Sequence, residues 1–501
     1  PNSLPSLPAF AAAHHVTRLR MKGDTSSSSN NGSVVAKGHF VSLVPADLFT
    51  HVQGVENLIE VLEVHYLANQ DPNLHFGLLT DFRDAPEETQ PADAPLLELV
   101  QAGIAALNQK YRRAEVRSDG APFFLFHRPR RWNAQERVCM GHERKRGKLA
   151  DLNSLLRGGG QGKFEQVLGS THVLSGVKYV ITLDTDTQLP RDTARELIGI
   201  MHHPLNRPVV HPQLRRVTEG YGILQPRVSV TMASAAGSLF ARTYAGHTGV
   251  DPYTTAVSDV YQDLFGEGIF TGKGLYDVDA FMASLEGRVP DNALLSHDLF
   301  EGVHARSALV TDTEVVDDYP SNVLTHARRQ HRWVRGDWQI LLWLFPWVPT
   351  RSGLERNRLP IISRWKILDN LRRSLVPPSL VALFIAGWAF LPGRPIFWTL
   401  VAMATMSFPV WARALELLGG PRKGQGICVF VRSIGEDFAT DLARISVQLT
   451  FVAYQAWDML DAVGVTVARL VSRRGRFLQW ETAAAVAQRT RKLDVDRKST
   501  R

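Results

Sequence analysis

Residues 180–192 read VITLDTDTQLPRD, an apolar run that ends in two carboxylates, Asp184 and Asp186, spaced D-x-D. Such a run fits a buried strand whose two faces are both covered. In open α/β sheets, ligands bind outside the carboxyl ends of the strands. The two acids are thus delivered to the edge where a ligand would sit. The next residues, RDTARELIGIMHH, keep helical spacing, so strand leads into helix.

Working upstream, the same alternation repeats. HFVSLVPADL, LHFGLLTDF and PFFLFHR read as strands, while VENLIEVLEVHYLANQ and LADLNSLLR read as helices. The expected fold is an α/β domain with a mainly parallel sheet. A second strand end also carries acids, Asp81 and Asp84. Residues 1–37 contain GDTSSSSNNGS and read as disordered or truncated. One α/β domain is expected over 38–350, interfacial and transmembrane helices over 351–475, and a linker over 476–501.

The 501 residues suffice for two or three domains, and 44% hydrophobic content supplies a large core. The net charge of +8 gathers in clusters such as HERKR at 142–146 and Arg422-Lys423. These suit a phosphate-bearing ligand or an anionic membrane face. They lack the interleaved aromatics of a nucleic-acid module, so no nucleic-acid partner is expected. Two distant cysteines, Cys139 and Cys428, exclude a disulfide framework and a thiolate zinc site. Between Arg373 and Arg394 lie twenty uncharged residues, and eighteen more separate Arg394 from Arg413. Both are candidate membrane spans, and the flanking arginines favour a hairpin with cytoplasmic ends. The later segment 443–471, interrupted by Asp458 and Asp461, fits an amphipathic helix as well as a span. The Trp-rich WQILLWLFPWV at 338–348 looks interfacial.

A D-x-D at a strand end has three readings: solvated loop acids, the nucleophile and acid of an aspartyl-phosphate phosphohydrolase, or the metal ligands of a nucleotide-sugar glycosyltransferase. Gln188 stands where the phosphohydrolase pattern wants Thr or Val. The glycosyltransferase reading gains from company downstream. LLSHDLFEG supplies Asp298 and Glu301, and in ARRQHRWVRGDW Gln330, Arg332 and Trp333 read as a Q-x-x-R-W motif. TGKG at 271–274 is no Walker A loop, because Glu267 replaces the first glycine and Gly274 the Ser/Thr.

In this order the motifs resemble those of processive inverting glycosyltransferases with a GT-A fold. HERKRGKLADLN, YVITLDTDTQLP, GEGIFTGKGLYDVDAF, LLSHDLFEG and RRSLVPPSL together resemble the glycosyltransferase region of bacterial cyclic β-1,2-glucan synthases. The tail LVSRRGRFLQWETAAA resembles the linker before their glycoside-phosphorylase-like domain, which is expected to be absent from these 501 residues. The resemblance implies UDP-glucose as donor, a glucan acceptor, Mg2+ or Mn2+, and a multi-pass protein of the bacterial inner membrane with its catalytic domain cytoplasmic. A processive synthase of another β-linked polysaccharide shares the same motifs.

The resemblance also implies roles. Asp298 would be the general base, and Asp184 and Asp186 would hold the metal. Arg332 and Arg329, with Gln330, would face the diphosphate, and Trp333 the acceptor sugar. Asp81, Asp84, Lys148 and Asp184 would line the nucleotide.

Overall fold

The computed structural model describes residues 39–47, 52–111, 121–160, 162–245, 259–420, 426–472 and 476–479. The segment expected to be disordered, 1–37, lies outside them, as do Arg422, Lys423 and most of the expected linker.

Eight strands form one mixed sheet: β1 (His39–Asp47), β2 (Leu74–Asp81), β3 (Phe123–Arg128), β4 (Gln166–Leu168), β5 (Val177–Thr182), β6 (Ile223–Val230), β7 (Gly274–Asp277) and β8 (Ser307–Asp317). Their order is β8-β6-β7-β5-β1-β2-β3-β4. The run β5-β1-β2-β3 is parallel, as is the pair β6-β8. β7 runs antiparallel to both neighbours, and β4 closes one edge antiparallel to β3.

Both faces of this sheet are covered, which is why its strands read as near-continuous apolar runs. On β1, Phe40 and Val44 enter one core, while Val41 and Leu43 enter the other. The first face is covered by α1 (Val52–Ala68), α2 (Asp93–Lys110) and α4 (Thr193–His202), through Leu62, Ile104 and Leu197. The second is covered by α3 (Arg144–Leu156) and α5 (Val278–Leu285), through Leu152 and Phe281. Each such fully buried side chain contributes about 1.5–3 kcal/mol. The basic cluster at 142–146, upstream of the expected helix LADLNSLLR, supplies the first turn of α3, from Arg144.

A third core joins α6 (Asp298–Ala305) to α8 (Ile361–Ser374), with Leu299 and Phe300 packed among Trp343, Ile367 and Leu371. Hydrophobic packing thus continues past residue 350. The stretch 338–348 is divided: Ile340 and Trp343 lie in this core, while Phe345 and Trp347 are exposed.

The expected spans take a different form. They fold as α9 (Val376–Ala389) and α10 (Pro395–Met406), of 14 and 12 residues. At about 1.5 Å per residue such helices fall well short of a hydrocarbon core about 30 Å thick. Prolines at their first turns and the break at Ser407 before α11 (Phe408–Gly419) shorten them. The segment 443–471 lies within α12 (Ile427–Ser472), which is long but carries acids and arginines along its length. Among the described residues no helix is both long and apolar enough to cross a membrane. α12 instead packs on α7 (Val323–Gln339): Met459 and Ala462 meet Val334, and Asp461 lies 3.0 Å from His331.

Burial pushes His65 and His127 down to about 4. A folded value below the unfolded value of about 6.5 means full stability above pH 6.5 and progressive loss as pH falls toward 4. Thermal unfolding from pH 7.5 to 4 should show this fall, and His127→Gln should make it shallower. A flat profile across that window would contradict the assignment.

Candidate active site

The D-x-D lies in the turn after β5, and that turn is sewn to the end of β8. Gln188 N–H donates to the Val316 carbonyl at 2.7 Å, and Val316 N–H donates back at 3.1 Å. The buried Thr187 hydroxyl donates to Asp317 at 2.6 Å. Gln188, which departs from the phosphohydrolase pattern, is thus used here through its backbone.

Two lysines converge on Asp184. Lys145, from the first turn of α3, donates to one carboxylate oxygen at 2.6 Å, and Lys273 lies 3.3 Å from the other. Burial alone would raise the Asp184 pKa, but the two ammoniums outweigh it and hold the carboxyl well below its usual range. Lys273 is itself buried and bonds Asp317. Asp186 differs from its neighbour: it is exposed and has no hydrogen-bond partner among the described residues. Its pKa is raised by desolvation and by the nearby Asp317 and Asp184 carboxylates, against the pull of Lys273 and Arg329. A hard divalent cation takes carboxylate oxygens, so Asp186 fits as its ready ligand, while Asp184 would have to share with two ammoniums.

Asp298 opens α6, a short step from this turn. Lys145 bridges them: besides Asp184 it donates to the Gly272 carbonyl at 2.9 Å and feels the charges of Asp298 and Glu301. Gly272, at φ +85°, lets backbone approach Asp298 so closely that an added Cβ would stand 2.6 Å from a carboxylate oxygen. Gly272→Ala should therefore displace Asp298 and lower kcat more than tenfold, with donor KM little changed; steady-state kinetics would check the split. Behind Asp298, the buried His297 lies 2.8 Å from Glu301 and 3.6 Å from Asp298. Burial would lower the His297 pKa, but Glu301 and Asp298 raise it overall.

The third component is α7. At Gly336 an added Cβ would stand 2.3 Å from Ser296 Cβ, so only glycine lets the helix seat against the Asp298 turn. Gln339 accepts from Leu295 N–H at 2.6 Å and fixes the same contact. Arg329, Arg332 and Trp333 precede Gly336 by seven, four and three residues and share its face. Arg329 acts electrostatically on Asp186 and Lys273, and its guanidinium lies 4.8 Å from the Trp333 ring centroid. Here the motif assignment needs correction. Gln330 stands two residues before Arg332, not three, and it shares its face with Val334, which packs on α12. Arg329 holds the first position of the R-Q-H-R-W run. Behind α7, Phe477 and Gln479 carbonyls accept from Gln339 and Arg335, each at 3.0 Å.

The acids at the end of β2 are committed to other side chains. Buried Arg128 grips Asp81 through two 2.7 Å bonds and Asp151 through a third. Burial would raise the Asp81 pKa, but Arg128 and then Lys148 hold it below the usual range. Lys148 donates to the Ala46 carbonyl at 2.8 Å and lies 3.5 Å from Asp81. Asp84, more open, is clasped by Arg144 at 2.5 and 3.0 Å. These residues lie at the end of β2, one strand removed from the D-x-D strand, and of their carboxylates Asp84 is the more exposed.

Two further groups bring ligand atoms within 4.8 Å of one another, His142-Glu143-Asp291 and His297-Asp298-Glu301. In the first, Glu143 already bonds Arg146 and Asn292 N–H. In the second, the His297–Glu301 pair accounts for the closeness.

Sequence reasoning missed Lys145, Lys273, Asp317 and His297. A lone lysine among glycines inside an otherwise apolar run, GIFTGKGLY, was the available signal for Lys273.

No protein-family profile matches the chain. Among solved structures, a mannosyltransferase of Pyrobaculum calidifontis, in complex with GDP-Man and Mn2+, aligns over 92% of this chain and 96% of its own, at 12% identity and a TM-score of 0.39, too low to carry an argument. Among curated proteins, the cyclic β-(1,2)-glucan synthase NdvB of Rhizobium meliloti is 43% identical over 438 residues, which are 86% of this chain and 15% of that protein. The chain thus spans about 15% of the length of the relative it matches. At that identity over 438 residues, the chain is similar to one region of a cyclic β-(1,2)-glucan synthase.

Proposed function

We propose that this chain is the glucosyltransferase unit of a cyclic β-1,2-glucan synthase, with a GT-A type fold. It transfers glucose from UDP-glucose, with inversion, to the 2-hydroxyl of a growing glucan. The observation that carries this reading is the junction at Lys145 and Gly272, where Asp184 of the D-x-D turn and Asp298 of α6 meet. The antiparallel β7 beside the D-x-D strand supports the fold assignment.

Inversion needs one displacement and one general base. Asp298 takes the proton of the acceptor hydroxyl as that oxygen attacks the anomeric carbon. Asp186, with a share of Asp184, would hold Mg2+ or Mn2+, whose charge would offset that of the leaving diphosphate. Arg329 and Arg332 face that diphosphate, since guanidinium forks suit phosphate oxygens. Asp84 and Lys148 stand toward the nucleoside, with Asp81 directly beside Lys148 and Asp84 held by Arg144, whose carbonyl Arg128 bonds. Trp333, with one face beside Arg329, offers an apolar edge to the acceptor sugar.

The same reading puts the unit at the cytoplasmic face of a bacterial inner membrane. Exposed Trp388, Phe390, Phe397, Phe408 and Trp411 on and beside α9–α11 support lipid contact there. A glycoside-phosphorylase-like domain is the partner that would set ring size. The test is incorporation of radiolabelled glucose from UDP-glucose by membranes carrying the chain, with and without Mg2+ or Mn2+. Metal-dependent incorporation is expected; none, with acceptor glucans supplied, would count against the reading.

A further inference from the structure

Lys273 sits in an unusual place for a cation. It is buried, bonds Asp317 and lies 3.3 Å from Asp184, on the same side of the sheet edge as Asp186 and Arg329. Its backbone neighbour Gly272 abuts Asp298, so it cannot swing away without disturbing the base. Asp317 in turn is held by Thr187 from within the D-x-D turn, which closes a ring from Asp184 through Lys273 and Asp317 back to Thr187.

Counted by charge, the D-x-D neighbourhood is nearly balanced. Three carboxylates, Asp184, Asp186 and Asp317, face the Lys145 and Lys273 ammoniums and the Arg329 guanidinium. Little negative charge remains to retain a free divalent cation. Divalent magnesium in nucleotide sites is usually held by one or two carboxylates plus substrate phosphates. We propose that Lys273 is a built-in counter-cation of the D-x-D carboxylates, which prevents the empty site from retaining a divalent ion and makes the ion enter together with the donor diphosphate. Asp317 is the positioning residue that keeps Lys273 in place. This inference rests on the D-x-D being the metal site of the proposed transferase.

The test is titration of the purified chain with Mn2+ alone, read by electron paramagnetic resonance, and then with Mn2+ plus UDP. Wild type should bind free Mn2+ weakly and gain affinity when UDP is added. Lys273→Met removes one positive charge a few ångströms from a divalent ion, which even at the dielectric of water corresponds to about tenfold or more in affinity. Free Mn2+ should then bind at least tenfold tighter, and the gain from UDP should shrink. A merely structural lysine would give looser binding when removed, never tighter. Unchanged or weaker Mn2+ binding by folded Lys273→Met overturns the proposal. Should that variant fail to fold, Lys273→Gln, which keeps a polar side chain of similar reach but no charge, decides alone: free Mn2+ binding at least tenfold tighter supports the proposal, and unchanged or weaker binding overturns it. Glucose incorporation by wild type is scored separately, so failure of the transferase reading and failure of the counter-cation are distinguishable.

Discussion

Asp298→Asn should lower the rate of sugar transfer by about 10²–10⁴-fold, the usual contribution of a positioned general base, while UDP binding stays near wild type. Asparagine keeps the size of the side chain, and hence the contact with Gly272, but cannot accept the acceptor's proton. The side chain is 28% exposed, open enough to meet an acceptor and enclosed enough to be held. His297 and Glu301 support it from behind, while Lys145 and Gly272 hold it from the D-x-D side. Single-turnover transfer and UDP titration, measured on the same preparation, separate the two effects. Equal loss of both would instead mean that the substitution disturbed the site as a whole.

The second large effect is on stability. Arg128 makes three 2.7 Å bonds to Asp81 and Asp151 within a buried cluster. Arg128→Met would leave both carboxylates without that partner, and breaking a buried pair in this way costs about 3–5 kcal/mol. The double variant Arg128→Met with Asp81→Leu should recover part of the loss, because apolar replacement of both partners removes the stranded charge. Thermal unfolding of the single and double variants checks this. Equal melting temperatures for wild type and Arg128→Met would show that the cluster is solvated, contrary to its burial.

The sheet was legible because its strands are buried on both faces and are punctuated by helices of regular spacing; HFVSLVPAD and KYVIT could hardly be anything else. The reversal of β7 was not legible, since GLYD carries no mark of strand direction. For the C-terminal helices, composition suggested spans, but prolines and a break at Ser407 divide the apolar runs into helices too short for them. The site divides in a similar way. Asp184, Asp186 and Asp298 announce themselves as carboxylates at element ends. Lys145 and Lys273 do not, because their importance comes from two distant segments meeting across the sheet edge. Asp81 shows the converse: a carboxylate at a strand end that looks available in sequence is already held by Arg128 on the neighbouring strand. Gln330 was misjudged for a simpler reason, a one-residue error in spacing, which on a helix turns a side chain by about 100°.

The central claim is that Asp298 and the D-x-D turn together carry out a single inverting displacement. It is tested most directly by the anomeric configuration and linkage of the first glucose added from UDP-glucose, read by NMR on product from wild type and from Asp298→Asn. The account predicts a β-1,2 bond from wild type and the same product formed about 10²–10⁴-fold more slowly by the variant. An α-linked product, or undiminished transfer by Asp298→Asn, would contradict it.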